Sequence, residues 1–227
     1  MMRTEKQNMP GSKKARILIV DDHPMLREGL AARIGRQPDL EVCGEAADIT
    51  EGLEQVKSTR PDLAIIDLSL KSGHGLELIK KIKHACRATK MLVCSMYDET
   101  LYAERVVRAG ALSFINKQEL PEKVLEAIRQ VLAGKLYFSP ATTEHLLQRA
   151  VGMSPGATET GMESLTNREL DVFRLIGQGK TSRQIAKDLH LSIKTVETHR
   201  ENIKGKLGIE TVAELSRQAV VWVMENG

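Results

Sequence analysis

The chain has 227 residues, 41% hydrophobic and 28% charged, with a net charge of +3; this composition is typical of a soluble globular protein and excludes a disordered one. No apolar run approaches the roughly 20 residues that cross a bilayer, which also excludes a membrane protein. The three cysteines have no metal-ligand spacing, so we expect free thiols in a reducing cytoplasm.

Residues 1–14 are polar and basic, and we interpret them as a flexible tail. After them, short apolar runs alternate with longer segments of helical periodicity. The apolar runs are residues 16–20, 40–43, 63–67, 91–95 and 112–115. This alternation predicts a doubly wound, flavodoxin-like α/β domain over residues 15–135, with a five-stranded parallel sheet.

The pattern changes after residue 135. Residues 136–162 are predicted to be a linker, which contains a helical segment at 142–150 followed by a stretch rich in Gly, Pro, Ser and Thr. Every periodic segment within residues 163–227 is helical. We therefore expect a second, all-α domain of four helices.

Polar side chains mark the starts of these four helices. Thr166 and Thr181 are each followed three residues later by Glu or Gln, which is the capping-box pattern. Ser192 is a plausible N-cap for the third helix, and Gly208 is predicted to end that helix in the left-handed conformation. The fourth helix is expected to begin at Thr211.

Polar residues also stand at the carboxyl ends of four predicted strands. Asp21 and Asp22 follow the first strand, Asp67 ends the third, Ser95 closes the fourth and Lys117 follows the fifth. Each residue alone is more often a turn, a cap or a solvated side chain, but ligand sites in doubly wound folds form at this edge. Converging carboxylates need a cation, and oxygen ligands suit Mg²⁺. A carboxylate nucleophile with a metal, a hydroxyl and an ammonium predicts phosphoryl transfer to an aspartate.

The surrounding motifs resemble those of NarL/FixJ-type response regulators. They are residues 17–24 (ILIVDDHP), 67–70 (DLSL), 75–78 (GLEL), 95–98 (SMYD) and 110–117 (GALSFINK). The resemblance implies that Asp67 accepts a phosphoryl group from a sensor histidine kinase. It also implies that Mg²⁺ is held by Asp67, by Asp21 and Asp22, and by the backbone carbonyl of Ser69. His23 is expected to be a loop or helix-start residue that no neighbour orients.

The same resemblance assigns a phosphate-dependent switch. Ser95 and Lys117 would contact the phosphoryl oxygens, and Phe114 matches the rotating aromatic residue of the family, although a Phe in a strand is normally a core residue. Many receivers have Pro-Gly where this chain has Lys71 and Ser72. We therefore expect a less rigid loop there, without an effect on the phosphate chemistry.

Residues 165–223 resemble the LuxR-type helix-turn-helix. The matching segments are 165–169 (LTNRE), 176–179 (IGQG), 184–186 (QIA), 194–200 (KTVETHR) and 206–208 (KLG). The resemblance implies that a helix-turn-helix beginning at Ser182 and ending at Glu201 binds double-stranded promoter DNA. In this family the last helix also pairs two DNA-binding domains, so a homodimer is expected on phosphorylation or DNA binding.

The third helix supports a DNA-binding function independently. Residues 180–206 carry seven Lys or Arg against three Asp or Glu. Val196, Ile203 and Leu207 lie on one apolar stripe of that helix at 100° per residue. The predicted DNA contacts lie at the edge of this stripe or on the opposite face of the helix. The residues predicted to contact phosphates are Lys194, Arg200, Lys204 and Lys206. The residues predicted to contact base edges are Glu197, Thr198 and Glu201. For each of these residues, a solvated helix face is an equally good interpretation.

The sequence thus predicts a cytoplasmic two-component regulator of transcription that turns over no substrate, with RNA polymerase as a candidate further partner. One alternative is an aspartate-nucleophile phosphatase, a class that requires Asp-x-Asp after the first strand, where this chain has Asp-Asp. Turnover of small phosphate esters would test it. Another is a phosphorylation-dependent module that binds protein or RNA. A salt-dependent gel shift with duplex DNA and none with RNA would exclude it.

Overall fold

The computed structural model describes residues 13–119, 121–151 and 161–226. Its strands are β1 (Ala15–Val20), β2 (Leu40–Ala46), β3 (Leu63–Ile66), β4 (Ser69–Leu70), β5 (Gly73–His74), β6 (Lys90–Ser95) and β7 (Ser113–Asn116). Its helices are α1 (Pro24–Gly35), α2 (Ile49–Thr59), α3 (Gly75–Ala85), α4 (Glu99–Ala109), α5 (Pro121–Leu132), α6 (Pro140–Ala150), α7 (Asn167–Gly177), α8 (Ser182–Asp188), α9 (Ile193–Leu207) and α10 (Val212–Asn226).

Five strands form one parallel sheet in the order β2-β1-β3-β6-β7. This order confirms the doubly wound fold, with the first and third predicted strands as neighbours. Their register pairs Ile17 with Leu63 and Val20 with Ile66, so the two strands end side by side. β4 and β5 form a two-stranded antiparallel hairpin directly after β3, which the sequence analysis did not predict.

Successive residues of β1 point to opposite faces of the sheet, as strand geometry requires. Leu18 and Val20 belong to an apolar core with α2, α3 and α4. Ile17 and Ile19 belong to a second core with α1 and α5. Because both faces of the sheet are covered by helices, its strands are apolar without interruption, and its free carboxyl edge is left for polar groups.

The helical domain begins as its capping residues predict. Thr166 and Thr181 both form complete capping boxes, and the Ser192 side chain accepts a hydrogen bond from the Thr195 backbone N–H. Gly208 ends α9 with a φ of 66°, in the left-handed region that glycine adopts without strain. These four helix signals are local in sequence, and each is confirmed.

The segment between the two domains contains α6, which confirms the predicted helix. Before it, Tyr137 pairs with Ser113 of β7 as an isolated parallel bridge, so the chain leaves the sheet along its edge strand. Residues 1–12 and 152–160, which cover most of the predicted tail and nine of the 27 residues of the predicted linker, lie outside the described residues.

Two further expectations concern the cysteines and the bilayer. Cys43, Cys86 and Cys94 are free thiols, and Cys94 is buried in β6. Among the helices of the described ranges, none combines the length and the apolar character that a membrane span requires.

Candidate functional site

Three carboxylates converge at the carboxyl edge of the sheet. Asp21 and Asp22 follow β1 and Asp67 follows β3, and the three side chains are only 2%, 6% and 2% exposed. Their oxygens and the imidazole of His23 offer ligand atoms that all lie within 4.8 Å of one another. Asp22 Oδ1 is buried and accepts no well-formed hydrogen bond from the described part of the chain. A buried carboxylate oxygen without such a donor, beside two other carboxylates, fits a site for a hard cation such as Mg²⁺.

Asp67 is held by donors from three other places in the chain. Ser95 Oγ donates to Asp67 Oδ1 over 2.7 Å, and Lys117 Nζ donates to Asp67 Oδ2 over 2.6 Å. The Ser69 backbone N–H lies 3.2 Å from Oδ1, and Lys117 Nζ is also 2.8 Å from Asp21 Oδ2. The structure therefore brings together the five strand-end residues that the sequence analysis selected.

Burial and charge shift the titration of this group. Burial raises the pKa of Asp67 and the nearby Asp21 raises it further, while the ammonium of Lys117 opposes the shift. Burial acts to lower the pKa of Lys117, but the carboxylates of Asp67 and Asp21 raise it above the usual value. A cation bound between the carboxylates would reduce their repulsion and favour ionised Asp67.

Backbone packing explains why a glycine follows the hairpin. The Gly75 N–H donates to the Leu68 carbonyl over 2.8 Å, which folds the start of α3 back onto the end of β3. A Cβ on Gly75 would lie 2.0 Å from the carbonyl oxygen of Asp67. Any larger residue at this position would displace the Asp67 backbone.

The expectation that no neighbour orients His23 is wrong. His23 is the N-cap residue of α1, and its Nδ1 lies 2.8 Å from Asp22 Oδ1 and 3.3 Å from Asp21 Oδ1. The side chain of His190, from the turn between α8 and α9, also approaches Asp22, with Nε2 3.5 Å from Oδ2. A turn of the helical domain therefore lies against the acidic site, which the sequence analysis missed because the two positions are 168 residues apart.

The other residues assigned to the switch lie around the same edge. Phe114 is 2% exposed in β7 and belongs to the apolar core beneath the site, the position of an ordinary strand residue. Lys71 and Ser72 form the tip of the β4–β5 hairpin, where Ser72 Oγ accepts a hydrogen bond from the Ile49 N–H over 3.0 Å. This bond ties the tip to the start of α2.

The predicted stripe of α9 faces the core of the helical domain. Val196 and Ile203 are fully buried, whereas the side chains predicted to read bases are exposed: Glu197, Thr198 and Glu201. Lys194 is exposed on the same side of the helix. This side of α9 is polar and accessible, as a helix that enters the major groove must be.

The basic residues predicted to contact phosphates differ in whether a carboxylate of the same domain already pairs with them. Lys206 Nζ donates to Glu169 Oε2 over 2.6 Å, and Glu169 is only 3% exposed. Burial alone would raise the pKa of Glu169, but Lys206 and the Thr166 cap lower it below the usual value. Lys206 is thus paired with a buried carboxylate of its own domain although its side chain is 34% exposed, and we expect it to contribute less to DNA binding than Lys194.

The two parts of the chain match two families in succession. Residues 17–129 match the response regulator receiver domain, and residues 163–219 match the luxR family of bacterial regulatory proteins. The acidic edge and the exposed side of α9 fall inside these two regions.

Several relatives match this chain over nearly its whole length. The chain is 35% identical to the oxygen regulatory protein NreC of Staphylococcus carnosus over 209 residues, 90% of this chain and 96% of that protein. It is 33% identical to the nitrate/nitrite response regulator NarL of Escherichia coli K12 over 218 residues, 96% and 99% of the two chains. The structure of RcsB from Salmonella enterica bound to the P1flhDC promoter with phosphomimetic BeF3⁻ has a TM-score of 0.60 at 25% identity, covering 91% of this chain and 98% of that one. The chain therefore belongs to the NarL/FixJ-type response regulators, transcriptional regulators of two-component systems that join a receiver domain to a LuxR-type helix-turn-helix.

Proposed function

We propose that Asp67 accepts a phosphoryl group from a sensor histidine kinase, and that this modification switches the binding of promoter DNA by α9. The receiver would span residues 15–135 and the DNA-binding domain residues 163–227. The observation that carries the proposal is the position of the Asp67 carboxylate, within hydrogen-bond reach of Ser95 and Lys117 and beside two further carboxylates.

The chemistry follows from these groups. A carboxylate oxygen of Asp67 would form a bond to phosphorus as the bond from phosphorus to the kinase histidine breaks. Lys117 would stabilise the negative charge on the phosphoryl oxygens. Asp21, Asp22, Asp67 and the backbone carbonyl of Ser69 would hold Mg²⁺, which when bound neutralises charge on the transferred group. The chain would then lose the group slowly and would turn over no external substrate.

Ser95 is expected to couple phosphorylation to DNA binding. Its hydroxyl bonds to unmodified Asp67 and could bond instead to a phosphoryl oxygen, which is a difference between the two states. We expect phosphorylated Ser95→Ala to bind DNA several-fold more weakly than phosphorylated wild type, with labelling retained. The measurement uses acetyl phosphate with Mg²⁺, then a gel shift on a duplex selected in vitro from a random pool with phosphorylated protein.

The same assay tests the proposal as a whole. Acetyl phosphate should raise the DNA affinity of the wild-type chain, and chelation of Mg²⁺ should prevent that rise. Ser113→Ala offers a matched control, because Ser113 is a buried serine of the neighbouring strand, three positions before the end of β7. Equal DNA affinity before and after verified phosphorylation would refute the switch.

We propose that α9 enters the major groove, with Thr198 and Glu201 at base edges and Lys194 at a phosphate. Replacement of Thr198 or Glu201 should cost roughly 1–3 kcal/mol on the selected duplex and change sequence preference. Lys194→Gln should weaken binding to every duplex and reduce the salt slope by about one unit. Salt titrations on selected and scrambled duplexes separate the two effects.

Lys206→Gln provides the contrast within the same helix. Because Lys206 pairs with buried Glu169, its loss should lower the free energy of unfolding of the domain. The salt slope of DNA binding should change less than it does for Lys194→Gln. Arg200 and Lys204 are less exposed than either lysine, with side chains 12% and 15% exposed, and they pair with the exposed residues Glu197 and Glu201 of the same helix. If Lys206→Gln lowers the salt slope as much as Lys194→Gln does, Lys206 contacts a phosphate in the complex and its pair with Glu169 breaks on DNA binding.

Further partners follow from the family. A homodimer would bind two half-sites, with α10 as the pairing helix, where Val221 and Met224 are 47% and 80% exposed. RcsB has been solved as two dimers on two parallel DNAs, and an equivalent dimer is proposed here. A cytoplasmic location and contact with RNA polymerase are part of the same proposal.

A further inference from the structure

A run of basic residues surrounds the end of α3 in the receiver. Residues 78–97 contain five Lys or Arg and one His but no Asp or Glu. The six basic residues are Lys80, Lys81, Lys83, His84, Arg87 and Lys90. All are exposed except Lys90, which is half-buried at the start of β6. The amino end of the sheet, opposite the acidic site, therefore carries a strongly positive surface.

The dipole of α3 accounts for only part of this charge. Lys83 and His84 lie in the last turn of α3, where positive charge offsets the partial negative charge of a helix C-terminus. Arg87 and Lys90 lie beyond that turn. No carboxylate of the described ranges lies within ion-pair distance of Lys83, Arg87 or Lys90, although one arginine of neighbouring α4 pairs with a glutamate of its own helix. Three cations without a protein counter-charge attract anions.

The same three cations line a cavity. It lies between the end of α3 and the turn that joins α4 to β7, and its volume is about 450 Å³. Met91 and Leu112 add an apolar wall beside the cations, and no acidic residue lines the cavity. Its volume lies within the range of small-molecule sites, roughly 300–1,000 Å³. The basic run therefore includes a concave site and not only a charged face.

The surrounding backbone positions the cations. Gly110 ends α4 with a φ of 117°, and a Cβ there would lie 2.6 Å from Lys83 Cδ and 3.3 Å from its Nζ. The Lys83 side chain therefore lies across this turn. Lys90 Nζ donates to the Leu132 carbonyl oxygen and keeps further N–H donors. The Arg87 backbone N–H donates to no carbonyl of the described residues, so it is a further donor beside the cavity.

These features fit a compact polyanion that carries an apolar ring. Three cations match the charge of a diphosphate or triphosphate, and a guanidinium such as that of Arg87 can bind phosphate through two parallel hydrogen bonds. The side chain of Leu112 offers a surface for a ring. A metal ion does not fit, because the cavity has no carboxylate ligand. The phosphates of duplex DNA lie along an extended charged rod, which a cavity of this size cannot enclose.

We propose that this cavity binds a nucleoside diphosphate or triphosphate, with its phosphates on Lys83, Arg87 and Lys90 and its nucleoside against Leu112. Lys90 and Ser95 are the first and last residues of β6. At the rise of a β-strand, the cavity is therefore roughly 17 Å from the acidic site. The inference goes beyond the proposed function and does not depend on phosphorylation of Asp67.

The test is calorimetric titration of ATP into the full-length protein, in EDTA so that no metal ion links ATP to the acidic site. One ATP should bind per chain. The double variant Lys83→Gln/Arg87→Gln should bind ATP about tenfold more weakly or worse, because two charge-assisted contacts are lost. Lys80→Gln/Lys81→Gln is the matched control, since it removes the same charge from the same run but outside the cavity. Its affinity should stay within about twofold of wild type, because exposed charges at a distance are screened by salt.

Two further measurements locate the ligand and identify its parts. Amide NMR signals of Arg87 and Gly110 should shift on titration with ATP, while that of Ser95 at the other end of β6 should not. Inorganic tripolyphosphate, which has the phosphates without the nucleoside, should bind more weakly than ATP. All four substituted side chains are exposed, so both double variants should melt as wild type does.

Equal losses of affinity in the two double variants would show that the run attracts anions only as diffuse surface charge, and would refute the site. Unchanged affinity in Lys83→Gln/Arg87→Gln would refute it as well, because ATP would then bind to another basic surface. Absence of ATP binding to wild type would have the same consequence. If tripolyphosphate binds as tightly as ATP, the assignment of a nucleoside to the apolar wall is wrong.

Discussion

Asp67→Asn is expected to abolish phosphorylation by acetyl phosphate and the rise in DNA affinity that follows it. The amide keeps the size of the side chain and one of the two oxygens that accept from Ser95 and Lys117, but it is no longer a nucleophilic carboxylate. The effect should be a complete loss, because no step of the proposed chemistry bypasses this residue. Intact-protein mass spectrometry after incubation with acetyl phosphate and Mg²⁺ measures the added mass.

Asp62→Asn is the control, because Asp62 lies at the opposite, amino end of β3 and accepts from the Arg16 backbone N–H. Its labelling should equal that of wild type. The Asp67→Asn chain should also melt within a few degrees of wild type. Such a result would show that phosphorylation is lost because the nucleophile is missing and not because the protein is unfolded. Undiminished labelling of Asp67→Asn would assign the phosphoacceptor to another residue.

Gly177→Ala is expected to destabilise the DNA-binding domain by about 3 kcal/mol, at the upper end of ordinary overpacking. Gly177 ends α7 where that helix crosses α10, and a Cβ there would lie 2.3 Å from the backbone oxygen of Ala219. A backbone atom cannot rotate away as a flexible side chain can, so the two helices must separate. Urea unfolding followed by Trp222 fluorescence reports on this domain, since Trp222 is the only tryptophan and packs edge-on against Phe173.

The control is another helical glycine of the same domain. A Cβ added to Gly205 in α9 would meet no other atom of the described residues within 4 Å, so Gly205→Ala should stabilise the helix by roughly 0.5–1 kcal/mol. The two substitutions are chemically identical and should change stability in opposite directions. Equal urea midpoints for the two variants would contradict the close approach of α7 and α10.

The sequence by itself determined those features that depend on local pattern. The acidic edge was predictable because continuous apolar runs mark buried parallel strands, and parallel strands place Asp21, Asp67 and Lys117 at a common edge. The helix starts at Thr166 and Thr181 were predictable because a capping box involves only four residues. The buried stripe of Val196 and Ile203 followed from helical periodicity alone.

Only the tertiary structure decided the contacts that join distant segments. No periodicity connects Tyr102 with Asp171, although the Tyr102 hydroxyl donates to the buried Asp171 carboxylate in the folded chain. Nothing in the sequence around Asp171 distinguishes a buried carboxylate from a solvated one. Lys206 has the pattern of an exposed basic residue, and only the fold shows that its ammonium lies 2.6 Å from Glu169 Oε2. Helix periodicity and capping act over a few residues, whereas the burial and pairing of a charge depend on which surfaces the folded chain brings together.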